Sequence, residues 1–166
     1  MGVHSMKDMP STPAKGLVFT KSWKREDPRD VLILRTASNL SDLRKGAVIG
    51  TGSKRRAFQL LKQRPDLKIV NIRGNVDTRL RKMEEQELDG IILAAAGLKR
   101  LGMQDVITQY LEPEEMISAP AQGVLALEVR EDQKELQQML DVFSDEETMN
   151  EVCAERNFLE QMGGSY

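Results

Sequence analysis

The chain has 166 residues, of which 40% are hydrophobic, and its 24 Lys and Arg against 26 Asp and Glu give a formal net charge of −2. This balance argues against a nucleic-acid partner, and an aromatic content of 4% disfavours base-stacking platforms. With one cysteine, Cys153, and one histidine, His4, an internal disulfide is excluded and no zinc ligand set exists, so we expect no metal. No apolar run approaches roughly 18 residues and no charged-then-apolar leader opens the chain, so we expect a cytoplasmic protein without membrane contact.

Predicted strands and helices alternate through the middle of the sequence. The strands are short apolar runs, beginning with strand-like residues 3–5 and continuing at 16–23, 30–35, 47–51, 67–73, 90–96 and 124–130. The helices follow capping residues and cover 39–46, 53–63, 75–86, 132–143 and 145–162. Continuous apolar strands between helices are typical of a parallel or mixed sheet with helices on both faces, so the predicted fold class is α/β.

The start of the helix predicted at 53–63 has an unusual charge pattern. Ser53 suits the N-cap, which places Lys54, Arg55 and Arg56 in the first helical turn. A helix N-terminus carries about half a positive charge, so each cation there costs roughly 0.3–1 kcal/mol at a surface. We expect that an anionic ligand compensates this cost, although a solvated surface is the common structural explanation for such a pair of arginines.

The next strand-to-helix junction repeats the pattern. Arg73 ends the strand, the turn follows at Gly74 and Asn75, and Arg79 lies about one helical turn further on. Ligands of open α/β sheets bind beyond the carboxyl ends of strands, where helix N–H groups and arginine forks bind carboxylate or phosphate. Neither phosphate-loop nor dinucleotide-binding spacing is present. A polycarboxylate therefore competes well with a polyphosphate as the predicted ligand.

The stretch VHSMKDMP, residues 3–10, supplies a candidate catalytic group. Lys7 and Asp8 follow the strand-like start and precede a proline, so we expect both on a loop at a strand end. An ionised carboxylate beside a lysine could accept an N–H, stabilise a nearby cation or transfer a proton. An exposed loop ion pair is the structural alternative, and His4 and Cys153 are interpreted as packing residues.

Several long motifs resemble one enzyme family, hydroxymethylbilane synthase, also called porphobilinogen deaminase. In chain order they are VHSMKDMP, EDPRDVLI, IGTGSKRRAFQL, RPDLKIVNIRGNVDTRL, DGIILAAAGLKRLG, SAPAQGVLALEVR and AERNFLEQMGG. The resemblance implies a transferase of heme and tetrapyrrole biosynthesis that joins four porphobilinogen molecules head to tail and releases ammonia. It also implies a dipyrromethane cofactor attached to a cysteine, and a periplasmic-binding-protein-like domain. The growing product carries acetate and propionate groups, in agreement with the predicted polycarboxylate.

The resemblance also implies roles for individual residues. Asp8 is the catalytic carboxylate, which would hold pyrrole N–H groups and stabilise the cation left when ammonia departs. The cofactor- and substrate-binding positions are Ser5, Lys7, Thr51, Ser53, Arg55, Arg56, Arg73, Arg79 and Gln122. Lys54 has no assigned role, and Gly52 stands where Ser is common in the family.

The chain departs from the family pattern at both ends. Family members carry a segment before VHSMKD, and their last motif continues into Gly-Gly-Cys, whereas Tyr166 occupies the cysteine position here and a one-residue shift would place Ser165 there. We therefore expect no attached cofactor and no activity of this chain alone, with a non-catalytic polycarboxylate-binding module as the alternative.

The same comparison of motifs predicts the domain organisation. The predicted parts are an incomplete first domain (1–27 and 119–143), a complete α/β second domain (28–118) and the start of a third (144–166). Strands 16–23 and 124–130 would lack sheet neighbours in an incomplete domain, so we expect self-association through them.

Overall fold

The computed structural model describes residues 1–10 and 13–163, which form two compact units. The first unit contains residues 1–28 together with the chain from 119 onward, and the second contains residues 29–118. The interpretation of residues from 144 onward as the start of a third domain stays a prediction.

The second unit is built around a mixed five-stranded sheet. Its strands are β3 (Asp30–Leu34), β4 (Val48–Gly50), β5 (Lys68–Val70), β6 (Gly90–Ala94) and β7 (Gln109–Leu111), in the spatial order β5-β4-β6-β3-β7. Strand β4 runs parallel to β5 and β6, whereas β3 is antiparallel to β6 and β7. The predicted α/β class with a parallel or mixed sheet is confirmed.

Helices cover both faces of this sheet because alternate residues of each buried strand point to opposite sides. Leu32 and Ile92 belong to one core cluster with Leu60 of α1 (Lys54–Gln63). Val31 and Leu93 belong to a second cluster, which includes apolar residues of α2 (Val76–Glu85) and α3 (Ala95–Arg100). Strand β3 is buried along its whole length, as the apolar run 31–34 predicts, and this burial includes Asp30.

The helix predicted at 39–46 is wrong, because this segment consists of turns. The side chain of Asn39 accepts hydrogen bonds from the backbone N–H groups of Ser41 and Asp42, which forms a local turn. The guanidinium of Arg64 donates to the carbonyls of Leu40, Leu43 and Arg44. Three carbonyls of this segment are therefore bound by a side chain 20 to 24 residues away in the sequence, which holds the segment in turns.

Two elements of the second unit were missed in the sequence. The strand predicted at 90–96 ends at Ala94, and α3 begins directly with Ala95, so one apolar run is divided between a strand and a helix. Ala95 and Leu98 of this helix are fully buried, which explains why no amphipathic period marks it. Strand β7 has only three residues, too few for a recognisable alternation.

The first unit contains a three-stranded antiparallel sheet. Its strands are β1 (Gly2–Ser5), β2 (Leu17–Phe19) and β8 (Leu125–Arg130), in the spatial order β1-β8-β2. The expectation that strand 124–130 lacks neighbours is wrong, since β8 is the central strand and pairs with β1 on one side and β2 on the other.

Two helices complete the first unit, α4 (Lys134–Asp141) and α5 (Glu146–Gln161), close to the predicted bounds. Val152 of α5 packs in a core cluster with Met6 and Val124. Across the described residues, 1–10 and 13–163, none of the helices combines the length and apolar character needed to cross a membrane.

Candidate functional site

Parallel pairing of β4 and β5 places the two strand-to-helix junctions of the second unit side by side. Gly50, the last residue of β4, lies opposite Val70, the last residue of β5. Just beyond the strand, the N–H of Thr51 donates to the carbonyl of Val70 at 2.9 Å. Residues 51–56 and 71–79, here called the paired junctions, are therefore neighbours at the carboxyl edge of the sheet, as the sequence predicts.

Each helix at the paired junctions begins with a side-chain cap. Ser53 is the N-cap of α1, which confirms the prediction, and its Oγ accepts a hydrogen bond from the N–H of Arg56 at 3.4 Å. The N–H of Ser53 in turn donates to Oγ1 of the buried Thr51 at 3.1 Å. In α2, Oδ1 of Asn75 accepts from the N–H of Thr78 at 2.9 Å.

Arg56 does not lie on a solvated surface, because it forms a buried ion pair with Asp30 at the start of β3. Its Nε and Nη2 donate to Oδ1 of Asp30 at 3.0 and 2.7 Å, and the carboxylate is completely buried. The expectation that a ligand alone compensates the first-turn cations therefore needs correction, since Asp30 supplies part of the compensation. Sequence reasoning missed Asp30, although an acidic residue opening a wholly apolar strand was a usable signal.

Arg55 shares the same carboxylate. Its Nη1 lies 2.7 Å from Oδ2 of Asp30 and also donates to the backbone carbonyl of Ile117. The side chain retains 26% exposure, compared with 7% for Arg56. One buried carboxylate thus orients two adjacent guanidinium groups, of which one remains accessible to solvent.

The charges of this cluster affect the acidity of its members. Burial raises the pKa of Asp30, but the charge of Arg56 and the hydrogen bond from Arg55 outweigh burial and hold this pKa below its ordinary value. Burial lowers the pKa of Arg56, Asp30 opposes this effect, and repulsion from Arg55 and Arg79 adds to it. The repulsion means that α1 and α2 bring their cations close to one another.

Positive charge remains in excess at the paired junctions after Asp30 is counted. Lys54 and Arg73 are exposed, and the half-buried Arg79 donates from Nε to the carbonyl of Gly74 at 2.7 Å. The cations are Lys54, Arg55, Arg56, Arg73 and Arg79, and carboxylates within the paired junctions or in contact with them include Asp77 and Asp30. An anion that binds here would meet net positive charge and the unbonded N–H groups that begin each helix.

In the first unit, Gln122 positions Lys7. The Gln122 side chain is completely buried, and its Oε1 accepts a hydrogen bond from Nζ of Lys7 at 3.2 Å. Its Nε2 donates to the carbonyl of Pro28 at 2.6 Å. The oxygen and the nitrogen of the amide are therefore both hydrogen-bonded, and Gln122 fixes the side chain of Lys7, the residue that precedes Asp8.

The loop that carries Gln122 is constrained on both sides. Ala121 has a φ of 58° and Gly123 a φ of 90°, and a Cβ on Gly123 would lie 2.2 Å from the carbonyl oxygen of Glu26. Arg25 donates from Nε to the Gln122 carbonyl, and a Glu155 oxygen accepts from the N–H of Ala121. Ala121 thus holds a conformation that costs about 1–3 kcal/mol for a non-glycine residue.

Asp8 ends a single 3-10 turn, Met6–Asp8, that directly follows β1, so the predicted position at a strand end is confirmed. Its side chain is exposed, and Ser5 precedes the turn. Asp8 belongs to the first unit and the paired junctions to the second, so their meeting in one pocket stays a prediction. Tyr166 and Ser165, the predicted counterparts of the attachment cysteine, lie outside the described residues.

Comparison with known proteins identifies the family. Residues 1–138 match the family described as "Porphobilinogen deaminase, dipyromethane cofactor binding domain". The chain belongs to the porphobilinogen deaminase family. The resemblance stated from its motifs is therefore confirmed, and the family has the dipyrromethane cofactor as expected.

Curated relatives extend the match to nearly the whole chain. Porphobilinogen deaminase from Lachnospira eligens is 58% identical over 166 residues, which are 99% of this chain and 56% of the relative. The enzyme from Clostridioides difficile is 55% identical, with 99% of this chain and 55% of the relative covered. The chain thus spans about half the length of these curated relatives.

A solved structure of a putative methionine-binding lipoprotein from Bacillus subtilis shares the fold. The match has a TM-score of 0.52 and 12% sequence identity, and it covers 80% of this chain and 63% of the solved chain. The predicted periplasmic-binding-protein-like α/β fold is confirmed, and this likeness concerns the fold alone.

Proposed function

We propose that this chain carries substrate-binding and catalytic residues of a porphobilinogen deaminase, the transferase that joins porphobilinogen units head to tail with release of ammonia. The observation that carries the proposal is the excess of positive charge at the paired junctions in a chain of this family. Porphobilinogen bears an acetate and a propionate, so an oligopyrrole presents a row of carboxylates to these cations.

Within each unit, the accessible and the buried candidate residues would contribute differently to ligand binding. The ligand carboxylates would bind to the accessible donors, which are Ser5, Lys7, Ser53, Arg55, Arg73 and Arg79. Thr51, Arg56 and Gln122 are buried and would act by holding Ser53, Asp30 and Lys7 respectively. A network of buried hydrogen bonds fixes the orientation of groups at its surface, which lowers the entropic cost of binding.

Asp8 is proposed as the catalytic carboxylate. The reaction breaks the bond between the substrate's methylene carbon and its protonated amine, and ammonia leaves with the bonding electrons. Asp8 would accept a hydrogen bond from the pyrrole N–H and stabilise the positive charge that remains on the substrate. Lys7, held by Gln122, would bind a substrate carboxylate beside Asp8 and so orient the ring.

The donors at the paired junctions suit dipyrromethane because this cofactor also carries acetate and propionate groups, which arginine forks and helix N–H groups bind. When bound, dipyrromethane supplies the pyrrole carbon to which the next unit is joined. Tyr166 offers no thiol for attachment at the position expected from the motif. We therefore propose that this chain binds porphobilinogen but does not turn it over alone.

The test measures binding and turnover separately. Porphobilinogen binding by calorimetry at low and high salt should give an affinity that falls with salt, and adenosine triphosphate should bind more weakly. The Tyr166→Cys variant, examined by mass spectrometry, tests attachment of dipyrromethane. Ammonia release by the unaltered chain would contradict its inactivity, while preferential nucleotide binding would overturn the proposed ligand.

Self-association remains part of the proposal. Strands β1 and β2 each pair only with β8 among the described residues, so each has an open edge that another chain could extend. Sedimentation over a range of concentrations should reveal an oligomer, and a monomer at all concentrations would contradict it. We place the protein in the cytoplasm, because its single cysteine suits a reducing compartment.

A further inference from the structure

One face of α5 lies against the 3-10 turn Met6–Asp8. Val152, in the middle of this helix, belongs to the same core cluster as Met6, the first residue of the turn. Glu155 and Arg156 follow three and four residues later, so they lie on the same face of the helix as Val152. This face therefore presents two adjacent charged side chains to the part of the first unit that we propose as catalytic.

Arg156 holds the backbone that follows Asp8. Its Nη2 donates to the carbonyl of Met9 at 2.8 Å, and Met9 is the residue directly after Asp8. The N–H of Met9 donates to the carbonyl of Met6 at 3.1 Å, which closes the turn. Because the hydrogen bond from Arg156 is charge-assisted, it is a strong constraint on the end of the turn.

Glu155 acts on the other side of the turn, through the loop that carries Gln122. Its Oε2 accepts from the N–H of Ala121 at 2.6 Å, and its two oxygens accept from the guanidinium of Arg25 at 2.7 and 3.1 Å. Arg25 in turn donates from Nε to the carbonyl of Gln122 at 2.8 Å, and the side chain of Gln122 holds Nζ of Lys7. A carboxylate of α5 is therefore linked to Lys7 by a chain of hydrogen bonds.

The conformation of Ala121 gives this link its importance. Its φ of 58° lies in the left-handed region, which a residue other than glycine occupies only where its surroundings hold it there. The hydrogen bond to Glu155 is one such constraint, because it uses the N–H of Ala121 itself. Removal of the Glu155 carboxylate should therefore let the loop relax and displace the side chain of Gln122.

We propose that Glu155 and Arg156 are positioning residues that hold the Lys7–Asp8 segment from both sides, an inference that rests on the proposed function. Arg156 fixes the backbone that follows Asp8, and Glu155 fixes the amide that orients Lys7. Neither Glu155 nor Arg156 contacts the ligand. Both act on porphobilinogen binding by keeping the carboxylate and the ammonium group of this segment in one orientation.

A matched pair of variants, Glu155→Ala and Glu151→Ala, tests the role of Glu155. Both carboxylates accept from Nη1 of Arg25, at 2.7 and 2.8 Å, so each variant removes an ion pair of the same arginine. Calorimetry with porphobilinogen should give about a tenfold loss of affinity for Glu155→Ala and a change within about threefold for Glu151→Ala. Equal affinities of the two folded variants would overturn the role of Glu155.

Arg156→Ala is tested with a measurement that needs no ligand. Exchange of the Met9 N–H with water, followed by nuclear magnetic resonance, reports how firmly the turn is closed and should become about tenfold faster. Asn157→Ala is the control, because the side chain of Asn157 contacts Cys153 within the same helix, and it should leave this rate unchanged. An unchanged rate in Arg156→Ala would overturn the role of Arg156.

Affinity and hydrogen exchange together distinguish two possible failures. Absence of porphobilinogen binding by the unaltered chain would overturn the proposed function, and with it any role of α5 in ligand binding. Binding by the unaltered chain, with unchanged affinity in both Glu155→Ala and Arg156→Ala, would overturn only the positioning role. Circular dichroism checks the folding of each variant, and the Arg156→Ala variant decides the question if Glu155→Ala does not fold.

Discussion

Asp30 and Arg56 form an ion pair that is buried on both sides, with Nε and Nη2 of the arginine 3.0 and 2.7 Å from one carboxylate oxygen. The Asp30→Ala variant leaves two guanidinium groups without this partner, and loss of one member of a buried pair costs about 3–5 kcal/mol. Urea unfolding followed by circular dichroism measures this loss.

The control for this prediction is the exposed pair Arg81–Glu85, whose charged atoms lie 3.7 Å apart in α2. Glu85→Ala should change the free energy of unfolding by no more than about 0.5 kcal/mol, because solvent screens exposed helical pairs. Similar decreases in the free energy of unfolding for Asp30→Ala and Glu85→Ala would show that the buried pair stabilises the fold no more than an exposed pair does.

Stability should also fall in acid. The pKa values of Asp30 and Asp89 are held below the ordinary value, because arginines and, for Asp89, the N–H of Val48 outweigh the effect of burial. The unfolded chain therefore binds these protons more readily than the folded chain. The stabilisation is complete at pH 7 and is lost as the pH falls below about 4, through the folded-state pKa values.

Urea midpoints at pH 7 and pH 3 test this dependence. Asp30→Asn should lose less stability between the two values than the unaltered chain does, because it lacks one of the responsible carboxylates. A decrease as large as that of the unaltered chain would show that Asp30 contributes nothing to it.

Gln122 offers a test of the buried amide. Gln122→Leu keeps the approximate size of the side chain but removes its hydrogen bonds to Lys7 and to the carbonyl of Pro28. Because a buried carbonyl is then left without a partner, the free energy of unfolding, measured in urea, should fall by about 1–3 kcal/mol. Gln137→Leu is the control, because the Gln137 amide makes two hydrogen bonds at an exposed position. This variant should lower the free energy of unfolding by less than about 0.5 kcal/mol.

A side chain at Gly52 would crowd the loop between β4 and α1. A Cβ at this position would lie 2.8 Å from the backbone oxygen of Ile72, so the loop must move to accept a side chain. Gly52→Ala should therefore lower thermal stability and displace the cap at Ser53. In α3, a Cβ on Gly97 would lie 3.9 Å from its nearest neighbouring atom, in Val76. Gly97→Ala should therefore stabilise the protein by about 0.5–1 kcal/mol. Stabilisation by both variants would refute the steric explanation.

The sequence predicted those parts of the fold that depend on local signals. Helices α1 and α2 were predicted within a residue or two, because Ser53 and Asn75 are capping residues followed by periodic apolar positions. Two elements depended on distant residues and could not be predicted in this way. The turns at 39–46 are held by Arg64, and α3 begins within an apolar run, with Ala95, Ala96 and Leu98 all buried.

The candidate site was predicted from the positions of its cations. This is why the paired junctions were predicted and the buried Asp30 was not. The first-turn cations indicated a compensating anion, and the parallel pairing of β4 with β5 brings the two junctions together as expected. Part of that anion is Asp30, which is separated from Arg56 by 26 residues. The pairing of Asp30 with Arg56 could not be predicted without knowing that β3 packs against α1 in the sheet.

The central claim is that an acidic pyrrole binds at the paired junctions. The most direct measurement is a titration of the labelled chain with porphobilinogen, followed by the backbone amide signals in nuclear magnetic resonance spectra. The account predicts salt-sensitive shifts at residues 53–56 and 75–79 and none in α4. Unchanged signals at both junctions under saturating ligand would contradict it.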